Sequence, residues 1–168
     1  EPEMLLKLLM EEGVTISHCV PTILNMLVHS PTAQIVDLSK WKVIIGGSAL
    51  TAGLAQDALK LGINVVSGYG MSETAPVLTV AHLSEPEKKL PIQEQILLRT
   101  KAGRIAPFVT LKIRDESGHD LPHDGISMGE IVVHCPWLTQ GYFKDSENGQ
   151  ALWKDGWLHT GDIGTISP

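Results

Sequence analysis

Two short stretches of the sequence combine residue types that could handle a phosphorylated ligand. The first is Ser67-Gly68-Tyr69-Gly70-Met71-Ser72-Glu73. Its glycines let backbone approach a ligand closely. Tyr69 offers a flat face on which a purine could stack. Ser72 offers a hydroxyl for a phosphate oxygen, and Glu73 is a hard oxygen ligand suited to a Mg²⁺ that bridges phosphates. The second stretch is Thr160-Gly161-Asp162, where one carboxylate could accept from both hydroxyls of a ribose. Each has an ordinary alternative. The first could be a glycine turn with an incidental acid, because short glycine motifs often match by chance. The second could be a turn in which Asp162 caps its own backbone. Trp153 and Trp157 flank the second stretch and read as packing residues.

Other chemistries find less support. His119 and His123 are spaced as a zinc helix needs, but Pro122 stands between them and the flanks favour turns. Neither a Walker A loop nor a G-x-S-x-G elbow is present. Cys19 and Cys135 lie far apart with no CxxC, which excludes a zinc knuckle or redox motif and fits reduced thiols in a cytoplasmic setting. The formal net charge is −6, and Lys and Arg are scattered apart from Lys88-Lys89, which reads as a solvated loop. That balance argues against a nucleic-acid surface. With 43% apolar residues in 168, the chain can bury a core in one compact domain or two small lobes. No apolar run is long enough for a membrane span. The acidic opening Glu1-Pro2-Glu3 is not a signal peptide, and the chain reads as an excised piece.

The elements that must position the two stretches follow from periodicity. Glu3 to Glu12 predicts a helix with Met4, Leu5, Leu8 and Leu9 on one face, ended by Gly13. Val14 to Val20 predicts a strand, and Ile23 to Val28 a short helix. Val43-Ile44-Ile45 predicts a buried strand. Thr51 caps a helix through Leu61 that Gly62 stops, and Ile63 to Val66 is the next strand. This alternation predicts an α/β fold, a parallel sheet with crossover helices. Such sheets bind ligands outside the carboxyl ends of their strands. Three loops collect there: Val20-Pro21-Thr22, Gly46-Gly47-Ser48-Ala49 and Ser67-Gly68-Tyr69-Gly70. Pro91 to Lys101 predicts another helix, with Ile92, Ile96, Leu97 and Thr100 on a face. Beyond it Val109 to Ile113 and Ile131 to Val133 predict strands, with a turn at Asp115 to Gly118. The division expected is an α/β part, residues 1–102, and a small β-rich lobe, a distorted barrel, over 103–168.

Five blocks then recur in a specific order: Gly47-Ser48-Ala49-Leu50, Tyr69-Gly70-Met71-Ser72-Glu73, Gly129-Glu130-Ile131-Val132-Val133, Gly141-Tyr142-Phe143, and Gly156-Trp157-Leu158-His159-Thr160-Gly161-Asp162. This series resembles the adenylate-forming superfamily: acyl-CoA synthetases, luciferases and peptide-synthetase adenylation domains. Leu121 to Gly125 with Gly129-Glu130 resembles its medium-chain fatty-acid branch, whereas His134-Cys135 departs from the Arg-Gly usual there. The resemblance implies ATP, AMP and Mg²⁺ as ligands, with a fatty acid and CoA as co-substrates. It implies that Gly47, Ser48 and Ala49 lie against adenine and that Tyr69 stacks on it. Ser67, Gly68, Gly70 and Met71 complete that loop. Ser72, where the family usually has Thr, would contact the α-phosphate, Glu73 would bind the metal, and Asp162 the ribose. Gly46, Pro76 and Val77 would line the acyl pocket. The phosphate loop that precedes these blocks and the lysine-bearing domain that follows them are absent, so the 168 residues are expected to be inactive alone. An amino-acid-activating domain and a non-catalytic binding module that keeps the fold remain as alternatives, and association between copies is left open.

Overall fold

The computed structural model describes residues 1–168. The chain forms two compact units, one of residues 1–70 with 77–104 and one of residues 71–76 with 105–168. The first unit runs α1 (Pro2–Glu11), β1 (Ile16–Cys19), α2 (Pro21–Val28), β2 (Lys42–Ile45), α3 (Ala52–Lys60), β3 (Asn64–Gly70), β4 (Val77–Val80), α4 (Ile92–Arg99) and, at its boundary, β5 (Arg104–Ile105). Strand order is β1-β2-β3-β4-β5. Strands β1, β2 and β3 are parallel, with Cys19 opposite Ile45 and Ile45 opposite Ser67. The expected parallel sheet with crossover helices is therefore present.

Local chemistry explains the helix ends. The Thr51 hydroxyl accepts from the Leu54 N–H, capping α3. Pro21 opens α2, at a position where a missing N–H costs nothing. Leu24, Leu27, Leu54, Ala55 and Ala58 from these helices bury against Val43, Ile45, Ile63 and Val65 of the sheet region. Trp41 closes one side and donates its indole N–H to Ser17 Oγ at 2.8 Å.

Several expectations change. In α1 the fully buried residue is Leu6, while Met4 is 59% exposed and Leu5 and Leu8 are also exposed. So many positions of that helix are apolar that periodicity alone could not select the inward face. In α4, Ile96 turns inward but Ile92 and Leu97 are exposed. Arg99 is buried instead, donating to Asn64 Oδ1 and the Val65 carbonyl, and burial lowers its pKa. Ser67–Gly70 is not a loop. It continues β3, because β4 returns antiparallel beside it, with Gly68 opposite Val80 and Tyr69 opposite Thr79.

The second unit holds β6 (Thr110–Arg114), β7 (Gly129–His134), α5 (Ser146–Ala151), β8 (Trp153–Lys154) and β9 (Trp157–Gly164). Its strands form one antiparallel sheet in the order β6-β7-β9-β8. The lobe is β-rich as expected, but the sheet is open and forms no closed barrel. Ile113, Val132, Val133 and Leu158 are fully buried in it. Trp157 packs as expected, with Lys112 and Arg114 over its ring. No helix of the chain is long and apolar enough to cross a membrane.

Candidate functional site

In the first unit, the predicted residues gather where the parallel strands end. Gly46 follows β2 and is buried, and its N–H donates to the Cys19 carbonyl at 3.3 Å. A Cβ at Gly46 would stand 2.9 Å from His18 Nε2 and 3.7 Å from the Gly68 carbonyl, so a side chain there would displace the His18 ring of β1. Gly47, Ser48 and Ala49 are exposed beyond it, before Leu50 turns back into the core. Ser67 is buried beside Ile45, and its carbonyl accepts from Ala81. Gly68, Tyr69 and Gly70 form the distal part of β3, where a bulge shifts the register between Tyr69 and Gly70 before Val77 opens β4. Nine predicted residues thus share one sheet edge: Gly46, Gly47, Ser48, Ala49, Ser67, Gly68, Tyr69, Gly70 and Val77.

Met71, Ser72, Glu73, Pro76 and Asp162 belong to the second unit. Ser72–Thr74 is a 3₁₀ turn. Its pin is Thr74, fully buried, whose hydroxyl accepts from the Met71 N–H at 3.0 Å and lies 2.7 Å from the Pro76 carbonyl. The turn leaves the Ser72 side chain exposed and Glu73 partly exposed. Glu73 is tied twice to the segment before α5. Its carbonyl accepts from the Thr139 N–H at 3.0 Å, and its carboxylate accepts from the Tyr142 hydroxyl at 2.5 Å. That bond is the main reason the Tyr142 phenol is raised above its ordinary pKa. Trp153 anchors the same segment by donating to the Thr139 carbonyl.

Asp162 lies on β9, not on the turn that its Thr-Gly-Asp context suggested. Val132 stands opposite His159 and Glu130 opposite Ile163, so Thr160, Gly161 and Asp162 occupy a stretch that only Ile131 faces. The result is a bulge, a device that re-aims side chains at a sheet edge. Gly161 adopts φ +75°, which an L side chain resists. The Thr160 hydroxyl donates to the Ile131 carbonyl at 2.8 Å and accepts from the Asp162 N–H at 3.1 Å. The Glu130 carboxylate accepts from the Gly161 N–H at 3.1 Å and pairs with His159 Nδ1 at 2.8 Å.

Sequence reasoning missed Thr74, Tyr142, Glu130 and His159 as supports of these sites. Each stood in or beside a recognised block, but only as a marker of spacing. Two grooves of about 530 and 560 Å³ on the second unit are lined by residues between Gln140 and Leu152, including Tyr142. Neither contains a predicted ligand residue. No group of three or more His, Cys, Asp or Glu side chains converges as a metal cage.

The family model for the AMP-binding enzyme matches residues 1–143. The chain belongs to that family. A 3-methylmercaptopropionyl-CoA ligase of Ruegeria lacuscaerulensis is 38% identical over 168 residues, covering 99% of this chain and 31% of that protein. A long-chain fatty-acid–CoA ligase of Thermus thermophilus is 34% identical, covering 97% of this chain and 30% of its own length. The chain thus spans about a third of the length of these relatives. Among solved structures, the N-terminal domain of FACL13 from Mycobacterium tuberculosis superimposes with a TM-score of 0.82 at 27% identity, over 99% of this chain and 40% of that one. The amide bond synthetase McbA from Marinactinospora thermotolerans also gives 0.82, at 29% identity, over 99% of this AMP-binding chain and 32% of the synthetase.

Proposed function

We propose that this chain supplies the adenosine-binding and metal-binding part of an ATP-dependent acid–CoA ligase, one that activates a fatty acid as acyl-AMP and passes it to CoA. The observation that carries this reading is the 3₁₀ turn that presents Ser72 and Glu73, in a chain that belongs to the AMP-binding enzymes. Tyr69 would stack on adenine beside Gly47, Ser48 and Ala49, with Ser67, Gly68, Gly70 and Met71 shaping the loop. Asp162 would accept from the ribose hydroxyls. Gly46, Pro76 and Val77 would line the acyl pocket.

The donor set fits Mg²⁺. Glu73 offers a hard carboxylate oxygen of the kind that Mg²⁺ takes beside nucleotide phosphates. Bound there, Mg²⁺ would supply neutralisation of phosphate charge. The chain's own contribution is positional. Tyr142 and Thr139 hold Glu73, Thr74 holds the turn, and Ser72 offers its hydroxyl to the α-phosphate, so the groups are oriented before reaction.

The test is an acid panel. The full-length ligase carrying this chain is incubated with ATP, Mg²⁺ and CoA, and with butyrate, octanoate, palmitate, 3-methylmercaptopropionate or an amino acid. Acyl-CoA is read by mass spectrometry. Acyl-CoA from a fatty acid is expected. Activation of amino acids alone, or transfer only to an added amine, would overturn the fatty-acid–CoA assignment.

A further inference from the structure

Asp162 is worth little to a nucleotide unless its backbone is held, and β9 is irregular at that point. Three residues, Thr160, Gly161 and Asp162, stand where the partner strand provides only Ile131. Left to the pleat, alternate residues would face opposite sides of the sheet, and a one-residue slip would send Asp162 to the wrong face. Something must fix how the extra residues fold out of the ladder. On the neighbouring strand β7, one side chain reaches both the residue before the irregular stretch, His159, and its middle residue, Gly161.

We infer that Glu130 is a positioning residue for Asp162, acting through the Gly161 N–H and the His159 ring. One carboxylate oxygen accepts from the Gly161 N–H, at the residue whose positive φ makes the bulge. The other pairs with Nδ1 of His159, the last residue in register before it. The clamp ties the residue of positive φ back to the in-register residue before it. Thr160 completes it from inside, donating to the Ile131 carbonyl and accepting from the Asp162 N–H. The His159 tautomer follows from its surroundings. Nδ1 faces a carboxylate and so carries the hydrogen, while Nε2 is buried with no hydrogen-bond partner. A bare lone pair is the less costly group to leave there.

The functional consequence rests on the reading of Asp162 as the ribose ligand. If Glu130 aims Asp162, its loss must impair recognition of the ribose and spare the acid and CoA. A carboxylate that merely supported the lobe would lower stability without singling out one substrate hydroxyl.

The experiment uses the full-length ligase and its variants Asp162→Ala, Glu130→Ala and Glu130→Gln. Binding of ATP and of 2′-deoxy-ATP is measured by calorimetry, KM for acid and CoA is measured in the same preparations, and amide hydrogen exchange is followed at Gly161 and Asp162. Asp162→Ala is expected to erase the preference for ATP over the deoxy analogue. Glu130→Ala is expected to weaken ATP about ten-fold, on the order of one charged hydrogen bond, and to shrink that preference. KM for acid and CoA should change less than two-fold, and exchange at Gly161 should accelerate. Glu130→Gln keeps an oxygen for the Gly161 N–H but forces the buried His159 Nε2 to carry a hydrogen, so it should fall between. Should the alanine variant not fold, the glutamine variant decides. A folded Glu130 variant with the wild-type preference, whatever its exchange, while Asp162→Ala has lost the preference, would overturn the clamp alone. An unchanged preference in Asp162→Ala would overturn the ribose assignment itself.

Discussion

Glu73 shows how much a single side chain depends on its neighbours. Its carboxylate and its carbonyl are each held, by the Tyr142 hydroxyl and the Thr139 N–H, so its direction is set within the chain itself. In the proposed ligase, Glu73→Gln should cut the rate of acid-dependent ATP–pyrophosphate exchange by about 10²–10³-fold, the usual loss for one transition-state electrostatic group. Near-normal exchange at saturating Mg²⁺ would remove Glu73 from the mechanism. Tyr142→Phe deletes only the donor. It should lower exchange by less, on the order of ten-fold, and shift the Mg²⁺ dependence upward. An unchanged Mg²⁺ titration would mean that the phenol does not orient the carboxylate. Ser72, Glu73 and Asp162 stood out in the sequence by residue type and by their place in the ordered blocks. Their supports were not, since Tyr142 lies sixty-nine positions from Glu73 and Glu130 thirty-one from Gly161.

At the scale of elements, two threonines in similar roles separate stability from function. Thr51 caps α3 and Thr74 pins the turn that carries Glu73. Thr51→Ala should cost about 1 kcal/mol of stability, with exchange unchanged. Thr74→Val keeps the shape but strips the hydroxyl from a fully buried site, leaving the Met71 N–H without its acceptor. It should cost about 1–3 kcal/mol and also depress exchange, because the turn itself loosens. Denaturant unfolding and exchange assays on both variants check the contrast, and equal catalytic losses would contradict it. The caps, parallel strands and crossover helices were readable because their signals are local: Thr51 before an apolar period, and short β-branched runs between glycines. Long-range pairing was less so. Ser67–Gly70 reads as a glycine loop until β4 lies beside it, and Thr160-Gly161-Asp162 reads as a turn until β7 fixes it as a strand with a bulge. The inward face of α1 was hidden for a different reason, because Leu6 had apolar competitors on every side.

Across the whole molecule, the chain forms two units of unlike construction. A mostly parallel sheet presents glycine-rich strand ends, and an antiparallel sheet with its preceding turn carries Glu73 and Asp162. In the proposed function this chain serves acid activation by adenylate formation, a step complete before CoA takes part. The most direct measurement is incorporation of labelled pyrophosphate into ATP by the full-length protein, with acid present or absent and with CoA omitted. Exchange that requires the acid and proceeds without CoA is the predicted result. Exchange that is independent of the acid, or that appears only when CoA is added, would contradict the account.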